Sequence, residues 1–530
     1  MRGLGRGLVV GLGLWRGLGL VVGLVPVVAA AMVPVHAQQQ PIVAPVRGAG
    51  DQFGSAIAVD GDFAVIGAPT RTSVYLGAGA FYLLQRSGDT WTVTLTYDEL
   101  TTTSPNRALG SSLAIRGDLL AVGAPGASAV GQTYLYRYTR GLGWTMATLL
   151  GSPLPTVGAR FGAAVGVAQG QVLVGETVES LPPVDMVTGK AHVFDEASSW
   201  VATQTLTPVD SEAGDRFGLA IAVDGDIAVI GAPGKEGARG AAYVWTRFGA
   251  TWTQAQKLVI AGDRVIDDFF GQTVAVAGER VLVGAYGRNG QLGAAYLFVR
   301  SGDTWTQTQE LTADEPTMFE VFGGRVALTS EHALVAGWGY EFVDAIGSRG
   351  GGYLFRGSGE ALTMLAALRA DDGVPGDLLG VGAALSDQAA LLGAPFDDAP
   401  ANPPNMSKAP GSAQVFGLLQ AVGEGCVDDL DCGAEARCCE DVCAEVSLCA
   451  VAGSSSGGGE GSSGGAATTP TTGGPEQGSS GTGPPGVSFE PGEAGCACGA
   501  TRPSGVAAAW CFALLLSLRR RRVASRRVGM

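Results

Sequence analysis

At Asp215–Arg247 the chain reads DRFGLAIAVDGDIAVIGAPGKEGARGAAYVWTR, and the features of this stretch recur along most of its length. They are a Phe-Gly, an alternating apolar run, an Asp-Gly, a second apolar run, a Gly-Ala-Pro, a polar loop and a third apolar run. Seven copies open at Phe53-Gly54, Leu109-Gly110, Phe161-Gly162, Phe217-Gly218, Phe270-Gly271, Phe322-Gly323 and Leu379-Gly380. Their spacings of 56, 52, 56, 53, 52 and 57 residues predict a repeat architecture.

Each copy predicts a four-stranded antiparallel sheet. Asp60-Gly61 lies between the apolar runs Ala56–Val59 and Phe63–Ile66, and this pattern favours a two-residue hairpin with a type I′ turn. A third strand is predicted after each Gly-Ala-Pro loop, and a fourth begins at Trp91, Trp144, Trp200, Trp252 and Trp305. Units of about 54 residues without an amphipathic helix indicate propeller blades and exclude solenoids of helix pairs.

The last copy lacks one strand at its end, and the chain offers a replacement at its beginning. No tryptophan strand follows the third strand at Ser412–Leu418. Gln40–Ala44 stands before the first Phe-Gly in the place that Gln256–Ile260 takes before the fifth. We therefore predict that Gln40–Ala44 completes the last blade. The predicted fold is an all-β, seven-bladed β-propeller of four-stranded antiparallel blades spanning residues 38–423.

These registered copies resemble the FG-GAP repeat family, whose best-known members form the seven-bladed head of integrin α chains. The resemblance covers roughly Gln40–Val422 and implies ligand binding by the loops of one face. Integrin-type repeats often carry a calcium loop of spaced Asp and Asn residues between their first two strands. Here that connection is a tight turn such as Asp224-Gly225, which cannot supply the six to eight oxygens that calcium prefers. No calcium site or other cofactor is therefore expected.

Three connections are longer and less repeat-like than the others, namely Glu176–Lys190, Trp338–Arg349 and Phe396–Pro410. Their aromatic residues have no role in the repeat, which makes them the candidate contacts for an extracellular protein or glycan: Trp338, Tyr340, Phe342 and Phe396. Loop aromatics can equally pack onto the blade rim, so this alternative stays open.

No catalytic constellation emerges from the sequence. The histidines His36, His192 and His332 lie far apart in the chain, too few for a triad or a histidine metal cluster. The aspartates that precede Phe-Gly or Leu-Gly are expected to cap turns: Asp51, Asp215, Asp268 and Asp377. We expect a non-enzymatic binding or adhesion module. The rivals are a hydrolase with carboxylate pairs at one mouth of the channel and a passive surface-layer component.

The first 37 residues have the pattern of a secretory signal. An apolar run from Gly17 to Val33 follows Arg2, Arg6 and Arg16, and Val35-His36-Ala37 after it favours cleavage after Ala37. The alternative is an uncleaved membrane anchor, although the run is short and interrupted by proline.

A cysteine-rich segment follows the repeats. In a secreted chain, six cysteines in 24 residues favour a small module stapled by three disulfides, with fifteen possible connectivities: Cys426, Cys432, Cys438, Cys439, Cys443 and Cys449. Zinc is the rival interpretation, but the spacing is unusual and no histidine lies nearby. We assign residues 424–450 to this module and residues 451–494, rich in Gly, Ser, Thr and Pro, to a flexible spacer.

Residues 495–530 combine a Cys-Ala-Cys motif, the short apolar run Val506–Leu518 and the basic block Arg519–Arg522. This order resembles the C-terminal sorting tails of myxobacterial surface proteins (MYXO-CTERM). The resemblance implies that Cys496 or Cys498 is the processing or attachment residue and that a membrane protease removes the segment after it. It also implies that the protein stays on the outer surface of a Gram-negative bacterium. A plain C-terminal membrane anchor is the alternative.

The charge of the chain limits its partners. The formal net charge is −15, and removal of three arginines with the signal and seven with the tail would make it −25. So acidic a surface argues against nucleic acid and anionic lipid as partners.

Overall fold

In a computed structural model of the protein, the structure describes residues 39–72, 76–98, 105–156, 158–178, 188–313, 321–339, 350–371, 373, 376–397, 409–418, 436–439 and 442–445. The chain divides into two compact units, Met1–Leu419 and Gln420–Met530. Among the described residues no helix exceeds four residues; the short ones are Glu196–Ser198, Lys235–Ala238 and Arg288–Gln291. The prediction of an all-β fold is confirmed.

The first unit consists of seven four-stranded antiparallel sheets. We number the blades 1 to 7 in chain order. β1, which belongs to blade 7, comes first in the chain, and semicolons then separate the blades: β1 Gln39–Ile42; β2 Ala56–Asp60, β3 Phe63–Ala68, β4 Ala80–Ser87, β5 Thr90–Asp98; β6 Ser112–Arg116, β7 Leu119–Ala124, β8 Gln132–Thr139, β9 Gly143–Leu150; β10 Ala159–Ala168, β11 Gln171–Val178, β12 Lys190–Asp195, β13 Val201–Leu206; β14 Ala220–Asp224, β15 Ile227–Ala232, β16 Ala241–Phe248, β17 Thr251–Leu258; β18 Thr273–Ala277, β19 Arg280–Ala285, β20 Ala294–Ser301, β21 Thr304–Leu311; β22 Arg325–Leu328, β23 His332–Gly337, β24 Gly351–Arg356, β25 Thr363–Leu368; β26 Gly382–Leu385, β27 Ala389–Ala394, β28 Ser412–Gly417. The prediction of a seven-bladed propeller is confirmed.

The N-terminal strand closes the ring as predicted. β1 pairs antiparallel with β28, with Gln39 opposite Phe416 and Ile42 opposite Ala413, so the seventh sheet has the order β1-β28-β27-β26. The first strands of neighbouring blades contact one another around the whole ring, and β26 of the last blade contacts β2 of the first. The ring is therefore closed both at its inner strands and at the outer edge of blade 7.

The Phe-Gly pair sits at the seam between blades. The five phenylalanines of these pairs are fully buried: Phe53, Phe161, Phe217, Phe270 and Phe322. The glycine of the pair lies against the glycine of Gly-Ala-Pro in the preceding blade. At the seam between blades 4 and 5, a Cβ added to Gly231 would lie 1.9 Å from the carbonyl oxygen of Gly271, so the two backbones approach as closely as they do because a side chain is absent. The same seam holds a parallel bridge between Gly240 and Phe270, and an equivalent bridge between Phe53 and Gly411 joins blades 1 and 7.

A glutamine on the fourth strand locks some outer seams. The Gln309 side chain donates to the carbonyl of Leu362 in the next blade at 2.9 Å and accepts from its amide at 2.7 Å. Gln204 and Gln256 bind Trp252 and Trp305 in the same way. Gln40 of β1 does so with Trp91, which places β1 in the role of a fourth strand.

We expect Gln309→Ala to lower the free energy of unfolding by about 1–2 kcal/mol, because the amide and carbonyl of Leu362 lose their partners in a seam where its side chain is buried. The control is Thr308→Ala in the same strand. Thr308 is an exposed β-bulge residue, and alanines 147 and 255 occupy its place in blades 2 and 4. Urea unfolding measures both; equal effects would contradict a specific role for the amide.

The turn between the first two strands differs from the prediction by one residue. Asp60 pairs with Phe63 and belongs to β2, so the central turn residues are Gly61 and Asp62. Of these two only Gly61 has a positive φ, 56°, whereas a type I′ turn needs two such residues, so the predicted turn type is wrong. A turn whose only positive φ lies at its first central position, as in a type II′ turn, needs a glycine there, and Gly61 supplies it. The Asp60 carboxylate accepts a hydrogen bond from the amide of Gly117 in blade 2.

The second unit is described only at one β-hairpin, β29 Ala436–Cys439 and β30 Val442–Glu445, where Cys438 lies opposite Cys443. Cys426, Cys432 and Cys449 lie outside the described residues, as do the predicted signal, spacer and tail. The disulfide pairing stays a prediction. In the part of the chain that the structure describes, no helix has the length and apolar character that crossing a bilayer requires.

Candidate functional site

The connections of a blade fall on two faces of the propeller. The tight turns between first and second strands and between third and fourth strands form what we call the hairpin face. The connections from second to third strand, and from the fourth strand to the next blade, form the loop face. The predicted ligand contacts Trp338 and Phe396 both follow a second strand and therefore lie on the loop face.

Ion pairs with buried carboxylates anchor the loop face. In each pair an aspartate before the first strand of a blade faces a cation in the connection from the second to the third strand. The distances between the side-chain nitrogen and the carboxylate oxygen are 3.3, 3.1 and 3.2 Å in Asp51–Arg71, Asp215–Lys235 and Asp268–Arg288. Each carboxylate also accepts a hydrogen bond from the amide three residues before it, at 2.8, 2.7 and 2.8 Å. The prediction that these aspartates cap turns is confirmed for Asp51, Asp215 and Asp268. The fourth, Asp377, is also buried.

The tyrosines beneath these pairs serve as hydrogen-bonding groups that keep their protons. The guanidinium of Arg71 donates to the Tyr82 hydroxyl at 2.7 Å, and burial raises the pKa of Tyr82 to about 12. Burial, followed by the hydrogen bond to Asp210, raises the pKa of Tyr243 as well. These groups position the loops and offer no base near neutral pH.

Blade 3 replaces this arrangement with a different buried cluster. Glu176 occupies the alanine place of Gly-Ala-Pro, and its carboxylate lies 2.8 Å from Nε2 of His192 and 2.5 Å from Oγ of Ser152. His192 is fully buried and its Nδ1 lies 3.0 Å from the Thr205 hydroxyl. The serine contacts the carboxylate and not the imidazole, so the order of groups differs from that of a serine nucleophile with its histidine base.

Blades 5 and 6 carry an aromatic group on the loop face that we call the Trp338 cluster: Phe269, Tyr286, Arg325 and Trp338. Phe269 and Tyr286 stack with ring centroids 5.0 Å apart and planes at 3°. The ring centroids of Tyr286 and Trp338 lie 6.3 Å apart, and the guanidinium carbon of Arg325 lies 5.6 Å from the Trp338 ring centroid. The ring of Trp338 also lies against Gly324, where an added Cβ would be 2.2 Å away.

The cluster exists because two blades depart from the repeat. Tyr286 and Trp338 stand where blades 1, 2, 4 and 7 have the proline of Gly-Ala-Pro. Phe269 precedes a Phe-Gly pair and has a φ of 53°, a left-handed conformation that is uncommon for an aromatic residue. Val265 and Ile266 on the same connection are 54% and 52% exposed, so apolar surface adjoins the cluster.

The structure locates only part of the predicted site. Trp338 is half-buried within the cluster, and Phe396 is half-buried in blade 7 without an aromatic stack among the described residues. Tyr340 and Phe342 lie outside the described residues, as do Cys496 and Cys498. Sequence reasoning missed Phe269, Tyr286 and Arg325. The substitution of the motif proline by Tyr286 was the available signal.

The hairpin face carries carboxylates that are mostly engaged in ion pairs or backbone contacts. Asp224 lies 3.0 Å from Arg116 and accepts from the amide of Gly278 at 2.7 Å. Asp226 lies 2.8 Å from Arg247 in an open cleft between blades 4 and 5. The Arg116–Asp224 pair joins the turns of blades 2 and 4, the Gly278–Asp224 bond joins those of blades 5 and 4, and the Asp226–Arg247 pair lies within blade 4. Within the described residues no group of three or more His, Cys, Asp or Glu is arranged to hold a metal ion.

A sequence model of the family described as FG-GAP repeat matches residues 36–84, 200–245 and 252–298, well under half of the chain. The three matches span a fourth strand and the first three strands of the next blade, and the first match begins with β1 in the fourth-strand place. A comparison with curated proteins gives no match. The chain thus carries FG-GAP-like repeats on a seven-bladed propeller, a fold that suggests a ligand-binding or adhesion-type module.

Proposed function

We propose that this protein is a secreted, cell-surface-displayed and non-enzymatic binding or adhesion module for an extracellular protein or glycan. The single observation that carries the proposal is the Trp338 cluster, which gathers three aromatic rings and a guanidinium on the loop face. Tryptophan, tyrosine and arginine are the residues most enriched at energetic hot spots of interfaces. The cluster rests on β-strands of two blades, and this rigid support lowers the entropy cost of binding.

The proposed location depends on the sequence. Residues 1–37 resemble a secretory signal, and residues 495–530 resemble a sorting tail in which Cys496 or Cys498 is processed. The Gly- and Ser-rich spacer before the tail would hold the propeller away from the envelope. A chain with this order would be exposed on the outer cell surface, where a loop face can meet a partner.

Binding is tested with the full-length protein and intact producing cells or their extracellular matrix. We expect Trp338→Ala to weaken binding about 30-fold or more, since truncation of a hot-spot residue costs about 2 kcal/mol or more. Phe248→Ala is the matched control, because Phe248 is an aromatic residue 93% exposed on the hairpin face. Arg325→Gln alters the cluster without opening a cavity. Equal binding by the unsubstituted protein and all three variants would contradict the assignment of the site.

The rival functions give different results in the same assay. A hydrolase would release soluble fragments from the matrix in the course of the incubation, whereas a binding module leaves the matrix intact. A passive surface-layer component would show no saturable binding. Binding that saturates, leaves the matrix intact and depends on Trp338 supports the proposal over both rivals.

The location is tested by intact mass and cell fractionation of the native protein and of Cys496→Ser and Cys498→Ser. We expect the native form to lack residues 1–37 and the Arg-rich end and to stay on the cell surface. In one or both variants it should stay unprocessed or appear in the medium. A full-length C-terminus that neither substitution affects would indicate a plain anchor.

A further inference from the structure

The outer strands of blades 1 and 2 carry exposed apolar side chains where other blades carry polar ones. Leu95 in β5, and Met146 and Leu149 in β9, are 41%, 58% and 43% exposed. They stand four, two and five residues after the tryptophan of their own fourth strand. The same three places hold glutamine, glutamine and lysine in blade 4, and glutamine, glutamine and glutamate in blade 5. We call Leu95, Met146 and Leu149 the rim patch.

The polar counterparts of two of these residues show that the rim patch spans one seam. Gln256 of blade 4 bonds the backbone of the tryptophan in blade 5. Gln307 of blade 5 accepts at 2.8 Å from the amide of Ala261, in the connection that leaves blade 4. Side chains at these two places therefore point into the same seam from opposite blades. Leu95 and Met146 hold those places at the seam between blades 1 and 2.

A hydrogen bond across this seam brings the two outer strands together. The hydroxyl of Tyr97 in β5 donates to the carbonyl oxygen of Trp144 in β9 at 2.5 Å. Leu95 and Met146 each stand two residues from one partner of this bond, a step of about 7 Å along a strand. Leu149 follows three residues further along β9. The apolar side chains of the two blades therefore lie next to each other on the outer wall of the propeller.

The rim patch also lacks charge, on a chain that is strongly acidic. No Asp, Glu, Lys or Arg occurs from Thr90 to Tyr97 or from Gly143 to Leu150. The formal net charge of −15 makes two copies of the chain repel each other over most of their surface. An uncharged apolar patch does not repel a copy of itself, so in electrostatic terms it is complementary to itself. The edge of β5 also lacks the proline or charged side chains that commonly blunt edge strands, such as Pro41 of β1.

We propose that this protein forms a symmetric dimer in which the rim patch packs against the rim patch of a second copy. A two-fold axis places the same surface of both copies in the interface, which suits a patch that is complementary to itself. Three apolar side chains from each copy make a small interface, so the association is weak in solution and gains strength where many copies share one surface. The rim patch belongs to blades 1 and 2, whereas the Trp338 cluster belongs to blades 5 and 6.

The test is sedimentation equilibrium of the purified full-length protein over a range of concentrations. The double variant Leu95→Gln with Met146→Gln introduces the residues that blades 4 and 5 carry at these places, so the fold is retained, and the midpoint of urea unfolding checks this. We expect the dissociation constant of the dimer to rise about tenfold or more, because apolar burial is lost in both copies. Phe248→Gln, at a side chain 93% exposed on the hairpin face, is the control and should leave the constant unchanged.

Amide hydrogen exchange at low and high protein concentration locates the interface. We expect slower exchange at high concentration in peptides that cover residues 90–98 and 143–150. A monomer at every concentration would overturn the inference, as would a dimer that the double variant forms equally well. Protection of these strands that appears only with matrix extract would assign the rim patch to another protein and would overturn it too. Trp338→Ala should leave the dimer unchanged, so a failure here leaves the proposed function in place.

Discussion

Replacing Phe270 with alanine is expected to lower the free energy of unfolding by about 3–5 kcal/mol. The Phe270 ring is fully buried in the seam between blades 4 and 5 and packs against Tyr296 and Phe298 at centroid distances of 5.8 and 5.9 Å. Truncation removes this burial and leaves a cavity in a seam that the backbone cannot close, since Gly231 and Gly271 are already in contact. Urea unfolding followed by tryptophan fluorescence measures the loss.

Phe270→Leu is the matched control, because blades 2 and 7 use Leu109 and Leu379 at the same place and bury them. We expect the leucine variant to lose less than half as much stability as the alanine variant, since it keeps most of the apolar volume. Equal losses for leucine and alanine would show that the aromatic ring itself, and not the filled volume, holds the seam.

The second large effect is expected for Lys235→Met. Removal of one partner from a buried ion pair leaves an uncompensated charge and typically costs about 3–5 kcal/mol. The Asp215 carboxylate, 4% exposed at its side chain, would then keep only the backbone amide of Glu212 as a described hydrogen-bond donor. The cost falls on the native loop face and should appear as a lower midpoint of urea unfolding.

Two further variants distinguish this mechanism from a general loss of positive charge. Lys257→Met removes a cation from the same blade, but its side chain is 27% exposed, so a loss of at most about 1 kcal/mol is expected. The double variant Lys235→Met with Asp215→Asn should be more stable than Lys235→Met alone, because no unpaired carboxylate is left. A double variant less stable than the single one would contradict the account.

The fold could be predicted from the sequence because each blade repeats the same local pattern seven times. Gln40 and Gln256 hold equivalent places in the repeat, and in the structure both side-chain amides bind the backbone of a tryptophan in the next blade. The sequence pattern placed the turn between the first two strands one residue too early. Asp60 has the side chain of a turn residue but pairs with Phe63 and extends β2, and its carboxylate accepts a hydrogen bond from the amide of Gly117 in another blade.

The candidate site was harder to predict because it joins residues of different repeats. Trp338 could be singled out as a loop aromatic, but its neighbours Tyr286 and Phe269 belong to blade 5 and gain their role only when the blades pack. The same holds for the ion pairs. Asp215 was correctly predicted to cap a turn, whereas its partner Lys235 lies 20 residues away and is identified only by its position relative to Gly-Ala-Pro.

The most direct test of the central claim, that the loop face around Trp338 is the binding surface, is amide hydrogen exchange of the full-length protein with and without extracellular matrix extract. We predict slower exchange in peptides that cover residues 265–272 and 323–338 and unchanged exchange at the hairpins around Leu142 and Phe248. Protection confined to the hairpin face would contradict the account, as would no protection in a sample that demonstrably binds the extract.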